Sequence, residues 1–242
     1  MPDIHRLHLG WASGGHNLPL ADTGLLALEV IRSMNPDTTH LIAIAAALGW
    51  ASGLRLYAVV FLTGLAGYLG WVTLPPGLQV LQQPTVLWAS GAMLAIEFVV
   101  DKVPWLDSLW DAVHTVVRIP AGALLAASVF GGDHESWAVI AGLLGGTLAA
   151  TSHVAKATTR AAVNTSPEPF SNIGLSLFGD AAVPSMLWLS WTHPWAFFAV
   201  LAVVLAAMLA LTARLVRFVG MTLAQLRRRL GAPPPSASSR DR

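Results

Sequence analysis

Six long apolar segments make up most of this chain, and each reaches the roughly 20 residues that an α-helix needs to cross a bilayer. In sequence order they cover residues 39–71, 85–103, 106–130, 136–164, 170–191 and 194–219. A soluble domain carries about 25% charged residues because its surface faces water, whereas this chain has 11% charged and 55% hydrophobic residues. The sequence therefore predicts an all-α, polytopic membrane protein of about six transmembrane helices.

The apolar segments divide the chain into three regions. Residues 1–36 form a polar lead-in, in which the stretch ADTGLLALEVIRSM predicts an interfacial helix, with a loosely ordered tail as the alternative. Residues 37–219 form the transmembrane domain, and residues 220–242 form a basic, Pro/Ser-rich tail that we expect to be disordered. The first segment is too long for one simple span, so we expect a break or strong tilt near Gly53.

The distribution of Lys and Arg predicts the orientation of the spans. The chain from Arg214 onward holds seven arginines, and the connections at the ends of the second and fourth segments carry Lys102, and Lys156 with Arg160. The loops after the first, third and fifth segments have no Lys or Arg. Because cytoplasmic loops are enriched in basic residues, we expect both termini in the cytoplasm and the protein in the bacterial inner (cytoplasmic) membrane.

The two halves of the transmembrane domain share a faint pattern. Residues 91–104 (GAMLAIEFVVDKVP) and 171–184 (SNIGLSLFGDAAVP) both place a Phe and an acidic residue before Val-Pro. Two inverted three-helix repeats, over residues 39–130 and 136–219, are one interpretation, and chance similarity of apolar residues is the other. Inverted repeats with interrupted helices are typical of secondary transporters.

Ionisable residues lie deep within the apolar segments. Glu97 and Asp101 are four residues apart, and a second stripe follows at spacings of 4, 3 and 4, so each set shares one helix face: Asp107, Asp111, His114 and Arg118. A charge at the bilayer centre costs about 2.5–3.5 kcal/mol on insertion scales, so these groups must face one another, water or protein. For Asp101, Lys102 and Asp107, a solvated turn is the alternative interpretation.

Carboxylates near an imidazole suit a proton relay or a hard cation. The predicted ion, proton or substrate site comprises Glu97, Asp101, Asp111, His114 and Asp180, of which Asp180 lies in the middle of the fifth segment. A divalent cation is an open option, and its candidate ligands are Glu97, Asp101, Asp107, Asp111 and His114.

Basic residues in the same segments are the expected counter-charges or anion contacts: Arg55, Arg118, His153, Lys156 and Arg160. We expect Arg55 to pair with Glu97 or Asp180. Purely structural pairs, Arg118 with Asp111 or Glu97, are the alternative to a functional site. The stripe formed by His153, Lys156 and Arg160 either extends to lipid phosphates or faces the carboxylates as an anion or headgroup site.

The leading functional hypothesis is a small transporter or channel-like permease. One form of this hypothesis couples transport to protons or cations. The alternatives are a membrane enzyme or lipid-handling protein with a carboxylate–His metal site, and a structural assembly partner. The sequence contains no nucleophile elbow, Walker loop, dinucleotide fingerprint or zinc-binding motif, which disfavours an enzyme. No cofactor beyond that cation is expected. The expected partners are membrane lipids, a small ion or solute and, as an open option, a second copy of the chain, but no nucleic acid.

Three stretches carry a family resemblance. They are SGLRLY, FVVDKVPWLDSLWDAVHTVVRIPAGAL and GGTLAATSHVAKATTRAAVNTSPEPFSN. With them the chain resembles, over about residues 40–210, an uncharacterised bacterial membrane family known as domain of unknown function 4126. The resemblance implies a multi-span membrane protein and supplies no activity.

Overall fold

The computed structural model describes residues 36–103, 105–131, 135–164 and 169–230. These residues form six α-helices and one 3₁₀ helix without any strand, which confirms the predicted all-α fold. The helices are α1 (Pro36–Tyr68), the 3₁₀ helix (Pro76–Gln82), α2 (Pro84–Val100), α3 (Leu106–Ser128), α4 (Glu135–Val163), α5 (Pro169–Thr192) and α6 (Pro194–Leu230). The predicted interfacial helix and residues 231–242 of the predicted tail lie outside the described residues, whereas residues 220–230 of that tail belong to α6.

Four helices in the described part of the chain are long and apolar enough to cross a bilayer. They cover Thr38–Tyr68, Glu135–Val163, Phe170–Thr192 and Pro194–Phe218. The 3₁₀ helix and α2 pass the same test together, with a bend of 70° between them, so the count is five if this pair is one span. Helix α3 is not among them, since three charged residues reduce its apolar character. The six-span count therefore stays a prediction.

Helix α1 forms the core of the structure. The most apolar stretch of α1 is 78% buried inside the structure, whereas that of α6 is 11% buried. Buried apolar residues occur along it from Ala43 to Val59. A helix that is hydrophobic on all sides is one that other helices surround, so the residues of α1 are placed to meet side chains from several neighbours.

Small residues let α1, α3 and α4 approach one another closely. A Cβ atom added at Gly49 would lie 2.5 Å from Cα of Gly145 in α4, and one added at Gly53 would clash with Ala149 and Ser152. Close approach through small residues is the usual way in which membrane helices associate. The crossing brings the polar side chains of α4 against the middle of α1.

Helix α1 is broken at Arg55, whose φ of −148° and ψ of 83° are not helical. The break that the sequence predicts near Gly53 is therefore found close to that position. Two carbonyl groups ahead of it accept hydrogen bonds from α4: Ser152 Oγ donates to Trp50 O at 2.7 Å, and Lys156 Nζ donates to Leu54 O at 2.9 Å. Such partners are needed because no water is present in the bilayer core to satisfy freed backbone groups.

Helix α3 has polar residues inside and apolar residues outside. Its stripe of Asp107, Asp111, His114 and Arg118 is buried, whereas Val116 is 79% exposed. A helix on the surface of a soluble protein has the opposite arrangement. Buried charges with exposed aliphatic side chains are what a lipid environment favours.

The two halves that the sequence suggests as repeats differ in the structure. Asp101 lies in the turn after α2, whereas Asp180 lies inside α5. Helix α4, which would correspond to the broken α1, runs from Glu135 to Val163 as one helix. An inverted repeat is therefore still a prediction.

Candidate functional site

Ten ionisable side chains form a single network of ion pairs, here called the charge network. Its acids are Glu97, Asp101, Asp107, Asp111 and Asp180, and its bases are Arg55, Lys102, Arg118, Lys156 and Arg160. The two sets are equal in number, so the network is formally neutral. Neutral pairing lowers the cost of keeping charges away from water.

Arg118 connects α2 to α3 at the deepest part of the charge network. Its Nη2 lies 2.7 Å from Glu97 Oε1, and its Nη1 lies 2.6 Å from Asp111 Oδ1. All three side chains are buried. Charge-assisted hydrogen bonds of this length are the strong ones. Both pairings that the sequence suggests for Arg118 are confirmed.

Asp101 contacts three bases from two helices. Arg160 Nη1 lies 2.9 Å from its Oδ1, and its Oδ2 lies 3.0 Å from Arg55 Nη2 and 3.4 Å from Lys156 Nζ. Burial raises the pKa of this carboxyl, but Lys156, Arg160 and Arg55 outweigh burial and lower the pKa to about 2. Asp101 is therefore ionised at neutral pH.

A solvated turn around Asp101 and Asp107 is wrong, because both side chains are fully buried. Asp107 Oδ1 accepts a hydrogen bond from Asn164 Nδ2 at 3.0 Å, and its Oδ2 lies 3.7 Å from Arg160 Nη1. The end of α4 therefore covers the turn. Lys102 is partly exposed, as a turn residue would be.

The basic stripe of α4 faces the carboxylates. Lys156 Nζ lies 3.1 Å from Asp111 Oδ1, and Arg160 Nη1 lies 3.4 Å from Asp111 Oδ2. Extension of Lys156 and Arg160 to lipid phosphates is therefore wrong for this structure. Their contacts connect α4 to α3 within the charge network.

Arg55, at the break in α1, is shared between two acids. Its Nη2 lies 3.0 Å from Asp101 Oδ2 and 3.0 Å from Asp180 Oδ1, and it donates to Ser176 Oγ at 2.9 Å. The predicted pairing with Asp180 is confirmed, and Asp101 takes the place expected for Glu97. Asp180 is 22% exposed, whereas Asp101 is 0% exposed. Asp180 is the most accessible acid of the charge network.

Asp180 has a second basic partner in Lys102, which the sequence analysis did not include in the site. Lys102 Nζ lies 3.3 Å from Asp180 Oδ2 and 3.0 Å from the centroid of the Phe98 ring. A cation over an aromatic face is stabilised by the ring quadrupole. The position of Lys102 directly after Asp101 in the sequence was the available signal.

The two histidines lie beside the charge network. His114 Nδ1 donates to Trp110 O at 2.9 Å, and its Nε2 lies 3.1 Å from Tyr57 OH. His153 Nε2 lies 2.7 Å from Thr115 Oγ1. The structure thus places His114 with aromatic partners rather than with the acids that the sequence grouped with it.

The candidate metal ligands do not assemble into a metal site. Among the residues that the structure describes, no group of three or more His, Asp or Glu side chains is arranged to hold a metal ion. The four acids among the candidates, Glu97, Asp101, Asp107 and Asp111, face Arg and Lys instead. A hard cation needs several converging oxygen ligands, and here the basic side chains occupy that position.

A cavity of about 470 Å³ adjoins the charge network between α1, α4, α5 and α6. Its volume lies within the range of about 300–1,000 Å³ typical of small-molecule sites. Most of its wall is apolar, and the charged and hydroxyl residues that line it are Arg55, Lys156, Thr159, Arg160, Ser176 and Ser185. The sequence did not predict this cavity.

Comparison with known proteins gives a family and nothing more specific. Residues 42–214 match the family described as Domain of unknown function (DUF4126). No curated protein and no solved structure matches the chain.

Proposed function

Since the chain belongs to the DUF4126 family, whose description states no activity, we propose its function from the geometry: it is a small membrane transporter that binds its substrate in the cavity beside Arg55. The observation that carries this proposal is the break in α1 at a buried arginine that lines the cavity. Discontinuous helices that meet a central binding site are typical of secondary transporters.

The break supports a transporter because of where it lies. Non-helical backbone at membrane depth is tolerated only where it is buried in protein or lines a cavity. Arg55 does both, since its side chain is 2% exposed and forms part of the cavity wall. A chain that needed only a stable bundle would gain nothing from placing a broken helix and a charged group there.

The charge network supplies a means of changing conformation. Arg55 holds Asp101 of the turn after α2 and Asp180 of α5 through the same nitrogen. Exchange between these partners would move α5 relative to α1 without changing the net charge of the network. A transporter needs two such arrangements of similar free energy. In the coupled version of the proposal, the accessible Asp180 receives the proton or cation.

The proposal includes a topology. Six spans result if α3 and the bent pair of the 3₁₀ helix and α2 each cross the membrane. We place the protein in the bacterial inner membrane with both termini in the cytoplasm, as two inverted halves. The arginine-rich segment from Arg214 onward and the loops without Lys or Arg support this orientation, and the polar inner face of α3 supports its burial among other spans.

A lipid-handling protein that does not complete a transport cycle is the second candidate. It is favoured by the apolar walls of the cavity. The two candidates differ in whether the cavity opens to one side of the membrane or to both in turn.

Cysteine accessibility tests the proposal, because the chain contains no natural cysteine. Ser185→Cys introduces a thiol into the cavity wall. The control is Ala181→Cys, which introduces a thiol one turn earlier in α5 at a residue that does not line the cavity. In sealed proteoliposomes, a membrane-impermeant maleimide is added either outside or inside. Alternating access predicts that Ser185→Cys reacts from both compartments while Ala181→Cys reacts from neither. Reaction of Ser185→Cys from one compartment only would reject transport in favour of the lipid-handling candidate.

A further inference from the structure

We infer that the cavity binds an amphipathic anion, meaning a compact carboxylate or phosphate head joined to an apolar chain. This inference rests on the proposed function and names the substrate class of the same cavity. It comes from the distribution of charge and polarity around the cavity wall.

The charged residues of the wall are all basic. Arg55, Lys156 and Arg160 line the cavity, and among the described residues that line it none is acidic. The acids that balance these bases contact them from within the charge network. The charged groups that line the cavity are therefore all cationic, with the hydroxyls of Thr159 and Ser176 beside them, and a negative head is the complementary chemistry.

Two hydrogen-bond donors of the wall have no partner within the described residues. They are Arg55 Nη1 and Arg160 Nε, and both side chains are 2% exposed. A buried donor without an acceptor is costly, whereas guanidinium groups bind carboxylate and phosphate oxygens strongly. An anionic head that displaced Asp180 from Arg55 would bring acceptor oxygens to this guanidinium group.

Because Lys102 also pairs with Asp180, an anion could replace Asp180 as the partner of Arg55. Asp180 is shared between Arg55 and Lys102, at 3.0 Å and 3.3 Å. A head group that took the place of Asp180 on Arg55 would leave Asp180 paired with Lys102. No buried charge would then be left without a partner, which is the costly outcome in a site of this kind.

The part of the cavity wall that α6 supplies suits an apolar chain. All five of its residues there are apolar: Val200, Val204, Ala207, Met208 and Leu211. Phe178 and Leu211, which also line the cavity, are 69% and 43% exposed on helices that are apolar enough to span a membrane. The wall thus continues onto the surface that faces lipid, so that a chain can lie partly in the cavity and partly in the bilayer.

The test uses the full chain in phosphatidylcholine nanodiscs, with radiolabelled palmitate as the probe and empty nanodiscs as the background. The competitors have sixteen-carbon chains and differ in the head: hexadecyl phosphate, hexadecanol and hexadecyltrimethylammonium. We expect hexadecyl phosphate to displace palmitate at least tenfold more effectively than the neutral or cationic compound. Equal displacement by hexadecanol would overturn the inference, and so would full displacement by inorganic phosphate at the same concentration.

The anionic amphiphile could be a membrane lipid or a free single-chain acid, and competition by a two-chain phosphatidic acid distinguishes these two sources. If it competes as well as hexadecyl phosphate, the head belongs to a membrane lipid. If it competes poorly while palmitate binds, the ligand is a free single-chain acid. Both results retain the anionic head and the apolar chain.

A cavity-filling variant gives a second readout that does not disturb the charge network. Ala182→Phe fills the apolar part of the cavity, and Ala181→Phe adds the same ring at the neighbouring residue, which does not line the cavity. We expect at least a tenfold loss of palmitate affinity for Ala182→Phe and no change for Ala181→Phe. Unchanged affinity in a folded Ala182→Phe protein would overturn the inference.

The substrate class and the transport function can fail separately. If Ser185→Cys labels from one side only while palmitate still binds selectively, the transport proposal fails and the substrate class holds. If it labels from both sides while palmitate shows no preference for an anionic head, transport holds and the substrate class fails.

Discussion

Arg55 of α1 and Asp180 of α5 form an ion pair of 3.0 Å beside the cavity, at the point where α1 is broken. Arg55 is buried, whereas Asp180 is partly exposed. The pair therefore joins the interior of the charge network to its accessible edge. A change at either residue acts both on the contact between α1 and α5 and on the cavity.

Asp180→Asn should increase the affinity for an anionic amphiphile. The substitution removes the acid that competes with the ligand for Arg55, while Asp101 and Ser176 continue to hold Arg55. We expect palmitate to bind several-fold more tightly in the nanodisc assay. A tenfold loss of affinity in a protein that retains its fold would mean that Asp180 does not compete with the ligand.

Arg118→Gln should strongly destabilise the protein. It leaves Glu97 and Asp111 buried without their common partner, and loss of one member of a buried ion pair costs about 3–5 kcal/mol. Denaturant unfolding in detergent micelles measures the change in free energy. The double variant Arg118→Gln/Glu97→Gln should recover part of it, because the uncompensated carboxylate is also removed. A double variant less stable than the single one would contradict this account of the pair.

Ser152→Ala should weaken the connection between α4 and the broken part of α1. The Ser152 hydroxyl donates to Trp50 O in α1, and an intramolecular hydrogen bond contributes about 0.5–1.5 kcal/mol to stability. Thr151→Ala is the matched control, because Thr151 donates to Thr147 O of its own helix and is only partly buried. We expect the thermal midpoint to fall for Ser152→Ala and to stay near the wild-type value for Thr151→Ala. Equal midpoints for the two variants would show that the hydrogen bond to Trp50 is unimportant.

The lowered pKa of Asp101 predicts how the stability of the protein depends on pH. Its pKa is lowered from 3.8 to about 2, so the ionised form stabilises the folded protein above pH 3.8, and this contribution is lost as the pH falls toward 2. The shift corresponds to about 2 kcal/mol. The difference in unfolding free energy between wild type and Asp101→Asn should be constant near neutral pH and shrink below about pH 4. A difference that stays constant from pH 7 to pH 3 would contradict the lowered pKa.

The polar face of α3 could be predicted from the sequence, but the partners of most charged residues could not. The 4, 3, 4 spacing places four residues of α3 on one face, and that face is buried. Helical spacing says which side chains share a face and not which neighbouring helix that face meets. The sequence therefore allowed a solvated turn at Asp101, although bases from α1 and α4 surround this buried side chain.

The 70° bend on which the number of spans depends and the presence of the cavity could not be predicted from the sequence either. A segment length does not show a 70° bend between the 3₁₀ helix and α2, because that bend depends on packing. The cavity exists because four helices leave space beside Arg55, and no sequence spacing encodes that space. The break in α1 was predictable, since the first apolar segment exceeds the thickness of a bilayer and contains Gly53.

The most direct test of the central claim is to measure whether α5 takes two positions relative to α3. Val116 and Leu177 are exposed residues that do not line the cavity, so Val116→Cys/Leu177→Cys accepts spin labels without altering it. Double electron–electron resonance in nanodiscs should show two distance populations, with a ratio that changes on addition of palmitate and again in the Asp180→Asn background. One distance population that neither treatment alters would contradict the claim that the Arg55–Asp180 pair controls a transport cycle.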